Sequence, residues 1–169
     1  MKKRSNILLI IVICLLIINA FILLAKFDLF QDDGRLNSEQ KALCEKHGIA
    51  LDSTETKYTL LIIFGVDDCI SCMEEARYWN KLAKLDNLDV IGIGYHEFED
   101  EFWKAIPNYN FEFDVLFDGG ASFKRKFGPK RSTPFKVLLQ GDKIILKDDP
   151  NMYQVAQKAI YEEITDIVG

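Results

Sequence analysis

The sequence has only four cysteines in 169 residues, too few for a disulfide scaffold at this length. It has no internal repeat, no low-complexity tract and no Gly/Ser linker, so neither a repeat array nor a disordered tether organises it. Positive charge is not in excess. Lys and Arg number 21 against 26 Asp and Glu, a net charge of −5, which gives no general attraction to nucleic acid or to anionic lipid. What is present is ordinary for a folded protein, 49% hydrophobic and 28% charged. The length leaves room for one domain of usual size once any membrane segment is subtracted.

The N-terminus lacks the marks of a cleaved leader. Met1-Lys2-Lys3-Arg4 is basic, and Ile7–Ala25 follows, 19 residues with no charge and only Asn19 clearly polar. As a helix this run spans about 28 Å, close to the thickness of a hydrocarbon core. Neither Ala20-Phe21-Ile22 nor Leu23-Leu24-Ala25-Lys26 offers a small-x-small cleavage site. Cys14, preceded by Val12-Ile13, is not placed for lipid attachment. Residues 1–26 therefore read as an uncleaved signal-anchor and 27–37 as a polar stalk. Lys2, Lys3 and Arg4 are expected in the cytoplasm and Asp28, Asp32 and Asp33 outside. The alternative is an exported soluble protein after cleavage. Either way residues 38–169 face an extracytoplasmic space, where disulfide chemistry is permitted.

The domain is organised around Tyr58–Trp79. An apolar run, Tyr58 to Phe64, stops at Gly65; the acidic loop Val66-Asp67-Asp68 leads into Cys69-Ile70-Ser71-Cys72. Met73, Ala76, Trp79, Leu82 and Ala83 then recur at helical spacing. A buried strand running into a helix with C-x-x-C at the junction is a redox-site arrangement. The helix N-terminus favours a thiolate, and the second Cys, one turn on, can close a disulfide with the first.

Around this stretch, Ser38 is expected to cap a short helix through Lys46, ended by Gly48. The C-x-x-C helix is expected to end near Leu85. Leu88–Gly94 reads as a second buried strand. Phe98, Phe102 and Ile106 mark a short helix closed by Pro107, Phe113–Phe117 is a third strand, and Phe123 and Phe127 mark one or two helical turns ended by Gly128-Pro129. Phe135–Leu139 and Lys143–Leu146 form a hairpin through Gln140-Gly141-Asp142. Asp149-Pro150 opens a last helix with an apolar face of Val155, Ala156, Ala159, Ile160, Ile164 and Ile167. The order β-α-β-α-β-α-β-β-α, with crossover helices between parallel strands, gives an α/β three-layer fold with a mixed central sheet.

This order, the stretches FGVDDCISCMEE, VLFDGGASFKRKFG and STPFKVLLQGDKI, and Thr133-Pro134 ahead of the closing hairpin resemble the thioredoxin-like fold. The chain looks most like the membrane-anchored TlpA-like and redoxin-type thioredoxins of bacterial envelopes, over roughly Leu36 to Gly169. The resemblance implies a thiol–disulfide oxidoreductase acting on protein thiols and disulfides of the cell envelope and recharged by a membrane electron donor. It also implies a cis Pro134 beside the disulfide, with Thr133 backbone groups binding the partner chain. Cys69 would attack and Cys72 resolve. No metal or cofactor is expected. Glu75 matches the glutamate of the TlpA-like reductases, and one turn beyond Cys72 it is placed to take or give that thiol's proton. Glu75→Gln is then expected to slow release of the mixed disulfide with little loss of folding stability. The alternative is that Glu74 and Glu75 are both solvated.

The chain departs from the pattern in three places. Asp68 replaces the usual Trp before the first Cys, Ile70-Ser71 replaces Gly-Pro, and Ile63 stands where ordinary thioredoxins bury an acid. Asp67 and Asp68 oppose the helix effect at Cys69 by like-charge repulsion, which points to a reductant. A competing reading joins Cys44 and His47, a C-x-x-H, to Cys69 and Cys72 as a zinc site; another is a redox-inert interaction module using Thr133-Pro134. A peroxidase is disfavoured because no Pro-x-x-x-Thr-x-x-Cys pattern surrounds Cys69. His96 reads as a loop residue, the basic Lys124–Arg131 cluster as a solvated rim, and Trp79 and Trp103 as core or near-core residues.

Overall fold

Tyr58–Gly65, rich in the strand-favouring residues Tyr, Thr, Ile and Phe, forms β1, and its last six residues are buried. Such a run, apolar on both sides, needs cover on both faces of a sheet. The computed structural model describes residues 34–51, 57–66, 70–128, 134–147 and 156–169. Within it, 34–169 form one compact unit. The expected span at 7–25 and the first seven residues of the expected stalk at 27–37 lie outside the described residues. Among those described, no helix is long and apolar enough to cross a membrane.

The elements follow as α1 (Ser38–Lys46), β1, α2 (Ile70–Leu82), β2 (Leu88–Tyr95), α3 (Glu99–Ala105), a 3-10 turn (Ile106–Tyr109), β3 (Asp114–Phe117), α4 (Ser122–Phe127), β4 (Phe135–Gln140), β5 (Lys143–Lys147) and α5 (Ala156–Val168). The sheet order is β3-β2-β1-β4-β5. β1, β2 and β3 are parallel, while β4 runs antiparallel to both β1 and β5. This is an α/β thioredoxin-like fold, a mixed five-stranded sheet with flanking helices.

Strand alternation divides the core in two. Leu60, Ile62 and Phe64 of β1 and Leu138 of β4 pack with Cys72, Trp79 and Leu82 of α2 and Ile164 and Val168 of α5. Leu61 and Ile63, with Phe135, Val137 and Leu139, pack on the other face with Cys44 of α1 and Phe123 and Phe127 of α4. Each such side chain contributes about 1.5–3 kcal/mol through burial, so both helix layers are held by the strand that carries the site at its end.

Several boundaries differ from the sequence reading. The cap of α1 is Asn37 rather than Ser38: Asn37 Oδ1 accepts from Gln40 N at 3.0 Å and Gln40 Oε1 from Asn37 N at 2.9 Å. This reciprocal box satisfies two end groups, which Ser38 in the cap position would leave to water. Gly48, at φ +71°, follows the helix end at His47. α2 ends at Leu82, three residues early. Pro107 closes α3, but the chain tightens into the 3-10 turn and stops at Asn110 in the left-handed region. Trp103 is not a core residue: it is 45% exposed, with Nε1 donating to Glu99 at 3.2 Å, because its neighbour Phe102 takes the inward position. The proposed start of α5 at Asp149-Pro150 lies outside the described residues.

Candidate functional site

β1 ends in a tightly held corner. A Cβ at Gly65 would stand 2.8 Å from the Tyr95 ring, so any other residue there would push that ring aside. Just beyond, the Val66 carbonyl accepts from the Tyr109 hydroxyl at 2.7 Å, and Val66 N donates to the Tyr95 carbonyl. Val66, the last described residue before the C-x-x-C, is thus fixed by the neighbouring strand and by the 3-10 turn. The corner opens on a groove of ≈ 370 Å³ lined by Gly65, Val66, Tyr95, His96 and the 119–121 turn. It lies at the carboxyl ends of three parallel strands, where open α/β sheets bind ligands. Lys124, in the cluster read as a solvated rim, donates to the Tyr95 hydroxyl at 2.8 Å.

Cys72 lies on the first turn of α2. It is fully buried against β1 and is disulfide-bonded. Cys69, Asp67, Asp68 and Thr133 lie outside the described residues. Pro134 is described as a half-buried bend immediately before β4.

Glu75 is not a solvated helix residue. One turn beyond Cys72, it points into the core, and its Oε2 lies 2.7 Å from Lys136 Nζ. The two side chains are 3% and 6% exposed. Glu74, by contrast, is exposed. Lys136 pairs in register with Ile62, which puts it on the sheet face that carries Cys72, two residues after Pro134. Its Nζ stands 6.0 Å from the Trp79 ring centroid. A water-sized cavity of ≈ 10 Å³ beside the pair is lined by Leu60, Tyr78, Trp79, Tyr161 and Ile164 among others. Burial of both charges reverses the expectation that Glu75→Gln is cheap, because a buried ion that loses its partner is costly.

Sequence reasoning missed Lys136. The signal was there: in Phe-Lys-Val-Leu-Leu, a lysine stands inside a strand that is apolar at every other position, and a buried cation requires an anion.

The zinc reading fails on geometry. Cys44 and Cys72 pack into cores on opposite faces of the sheet, so one metal ion cannot join them. Burial, with a smaller contribution from the Glu45 charge, pushes the Cys44 thiol up to about 12, which keeps it protonated and a poor ligand. His47 instead packs edge-on against Phe123 at 5.2 Å. Among the described residues no group of three or more metal-binding side chains converges.

No family model matches the chain, and no curated protein matches it in sequence. Solved structures do. A protein from Chlorobium tepidum assigned as a thiol:disulfide interchange protein DsbE superposes with TM-score 0.56 at 18% identity, covering 68% of this chain and 82% of that one. The thioredoxin domain of a thiol-disulfide oxidoreductase from Bacteroides vulgatus gives 0.54 at 17%, covering 68% and 81%. A secreted Mycobacterium tuberculosis disulfide oxidoreductase homologous to E. coli DsbE gives 0.51 at 17%, covering 68% and 84%. The chain has a thioredoxin-like fold resembling, at low identity, these DsbE-type thiol–disulfide oxidoreductases.

Proposed function

We propose that the protein is a membrane-tethered, extracytoplasmic thiol–disulfide oxidoreductase that works through Cys69 and Cys72. The observation that carries this reading is Cys72: buried, disulfide-bonded and on the first turn of the helix that follows the central strand. A helix N-terminus stabilises the thiolate that exchange requires. Cys69 attacks a partner disulfide, Cys72 displaces the partner, and Glu75 handles the proton of Cys72. Thr133 and Pro134 flank the partner chain. Residues 7–25 hold the domain to the lipid bilayer, and a membrane electron donor returns it to the dithiol. Asp67 and Asp68 disfavour an unusually stable thiolate, so the protein acts as a reductant of protein disulfides.

The test is a Cys72→Ser trap. In envelope preparations this variant is expected to accumulate proteins disulfide-linked to Cys69, and Cys69→Ser/Cys72→Ser none. Equal recovery from both variants would sink the proposal.

A further inference from the structure

Two residues beyond the bend at Pro134, β4 sends a lysine into the core, and α2 sends a glutamate to meet it one turn beyond Cys72. Buried apolar side chains pack this face, among them Leu60, Trp79, Leu82, Leu138 and Ile164. Burying an ion pair is weakly stabilising at best against apolar residues of the same size, so packing alone does not account for it. We infer that Lys136 is a positioning residue for the exchange reaction: it holds Glu75 ionised and aimed along α2, so that Glu75 accepts the Cys72 proton when the mixed disulfide resolves. The inference rests on the proposed function and deepens it.

The step balances as follows. Partner and protein begin joined through Cys69 Sγ. The Cys72 thiol gives its proton to the Glu75 carboxylate, and the resulting thiolate uses its electron pair to bond Cys69 Sγ. The bond between Cys69 and the partner breaks. The partner sulfur leaves with that pair and takes up a proton from Glu75 or from water. The partner, which entered as a disulfide, is reduced by two electrons, and Cys69 and Cys72 are oxidised. A neutral Glu75 cannot begin this sequence, and a buried carboxylate with no cation beside it is driven to the neutral form. Among the described residues, the titratable groups that share a cavity lining with Glu75 are Tyr78 on its own helix, Lys136 from β4 and Tyr161 from α5, and Cys72 lies one turn back. Of these Lys136 is the cation, and it is in direct contact.

The test is the pH–rate profile for release of glutathione from its mixed disulfide with Cys69, in the full-length chain. Lys136→Met is expected to raise the midpoint by one pH unit or more, slowing release below it by about tenfold. Lys136→Arg is expected to restore the wild-type midpoint. In a Glu75→Gln background, Lys136→Met is expected to change the rate less than twofold. An unmoved midpoint in folded Lys136→Met, or an equal slowing by Lys136→Met in the Glu75→Gln background, overturns the inference and leaves the exchange reading standing. A wild type that exchanges no glutathione overturns both. Should Lys136→Met not fold, the wild type decides. The infrared difference between wild type and Glu75→Gln at pH 7 is expected to hold no protonated-carboxyl band from Glu75, and such a band would refute an ionised Glu75.

Discussion

Glu75→Gln removes one charge of a pair whose side chains are 3% and 6% exposed. At that depth solvent screens little, and the cost has two parts. The 2.7 Å charge-assisted contact is lost, and Lys136 stays buried beside Leu60, Trp79 and Ile164 without the Glu75 carboxylate. Breaking buried pairs this way costs about 3–5 kcal/mol. Domains of this size hold about 5–15 kcal/mol in total, so the variant is expected to lose a large share of its stability. Urea unfolding of the oxidised protein measures it through the midpoint, at constant slope. Glu74→Gln, on the exposed side of the same turn, is the control and is expected within about 0.5 kcal/mol of wild type. Glu75→Leu/Lys136→Met, which replaces both charges by apolar groups, is expected to recover most of the loss. A Glu75→Gln variant as stable as Glu74→Gln would refute the reasoning, since the pair could then not be buried and ionised together.

Three further outcomes are expected. Cys44, fully buried and with its thiol pushed up to about 12, should resist alkylation at pH 8 in the native state and react only after denaturation; native labelling at the rate of a free thiol would contradict its burial. Asp142, whose carboxyl is held below its usual range first by the hydrogen bond from Lys41 at 2.6 Å and also by the charges of Lys41 and Arg35, contributes stability above the ordinary aspartate value that is lost as pH falls through its lowered one. Asp142→Asn should therefore be less stable than wild type at pH 7, with the gap closing as pH falls below the ordinary aspartate range; a gap independent of pH would show that the charge is not what matters. Ala121, at φ 48° and ψ 38° on the rim of the groove, holds a conformation that costs an L-residue about 1 kcal/mol or more. Ala121→Gly should raise thermal stability, and a fall would show that its methyl group packs usefully.

The elements that carry the site were legible because their signals are local. Leu60–Phe64 is apolar without a break, as a strand covered on both faces must be, and the short C-x-x-C spacing marks the helix start. The closing hairpin was legible in Gly141, at φ +59°. What was not legible depends on contacts distant in sequence. Glu75 and Glu74 look alike in the sequence, and only docking of α2 on β4 decides which meets Lys136, 61 positions on. Asn37 and Ser38 are both good caps, and Gln40 settles the choice by reaching back to Asn37 while its Nε2 donates to the Lys126 carbonyl at 2.9 Å. Trp103 looked inward because tryptophan usually does; a seven-residue helix has one inward position, and Phe102 fills it against Gly94.

The central claim is that Cys72 belongs to an exchanging dithiol. Equilibrating the protein across a glutathione and dithiothreitol series, then quenching with an alkylating reagent and locating the label, tests it directly. Cys69 and Cys72 are expected to change together as one two-electron couple, with a midpoint nearer roughly −270 mV than roughly −120 mV. Asp67→Asn/Asp68→Asn should make that midpoint more oxidising. A Cys72 that changes without Cys69, or that no buffer in the series reduces, would contradict the claim.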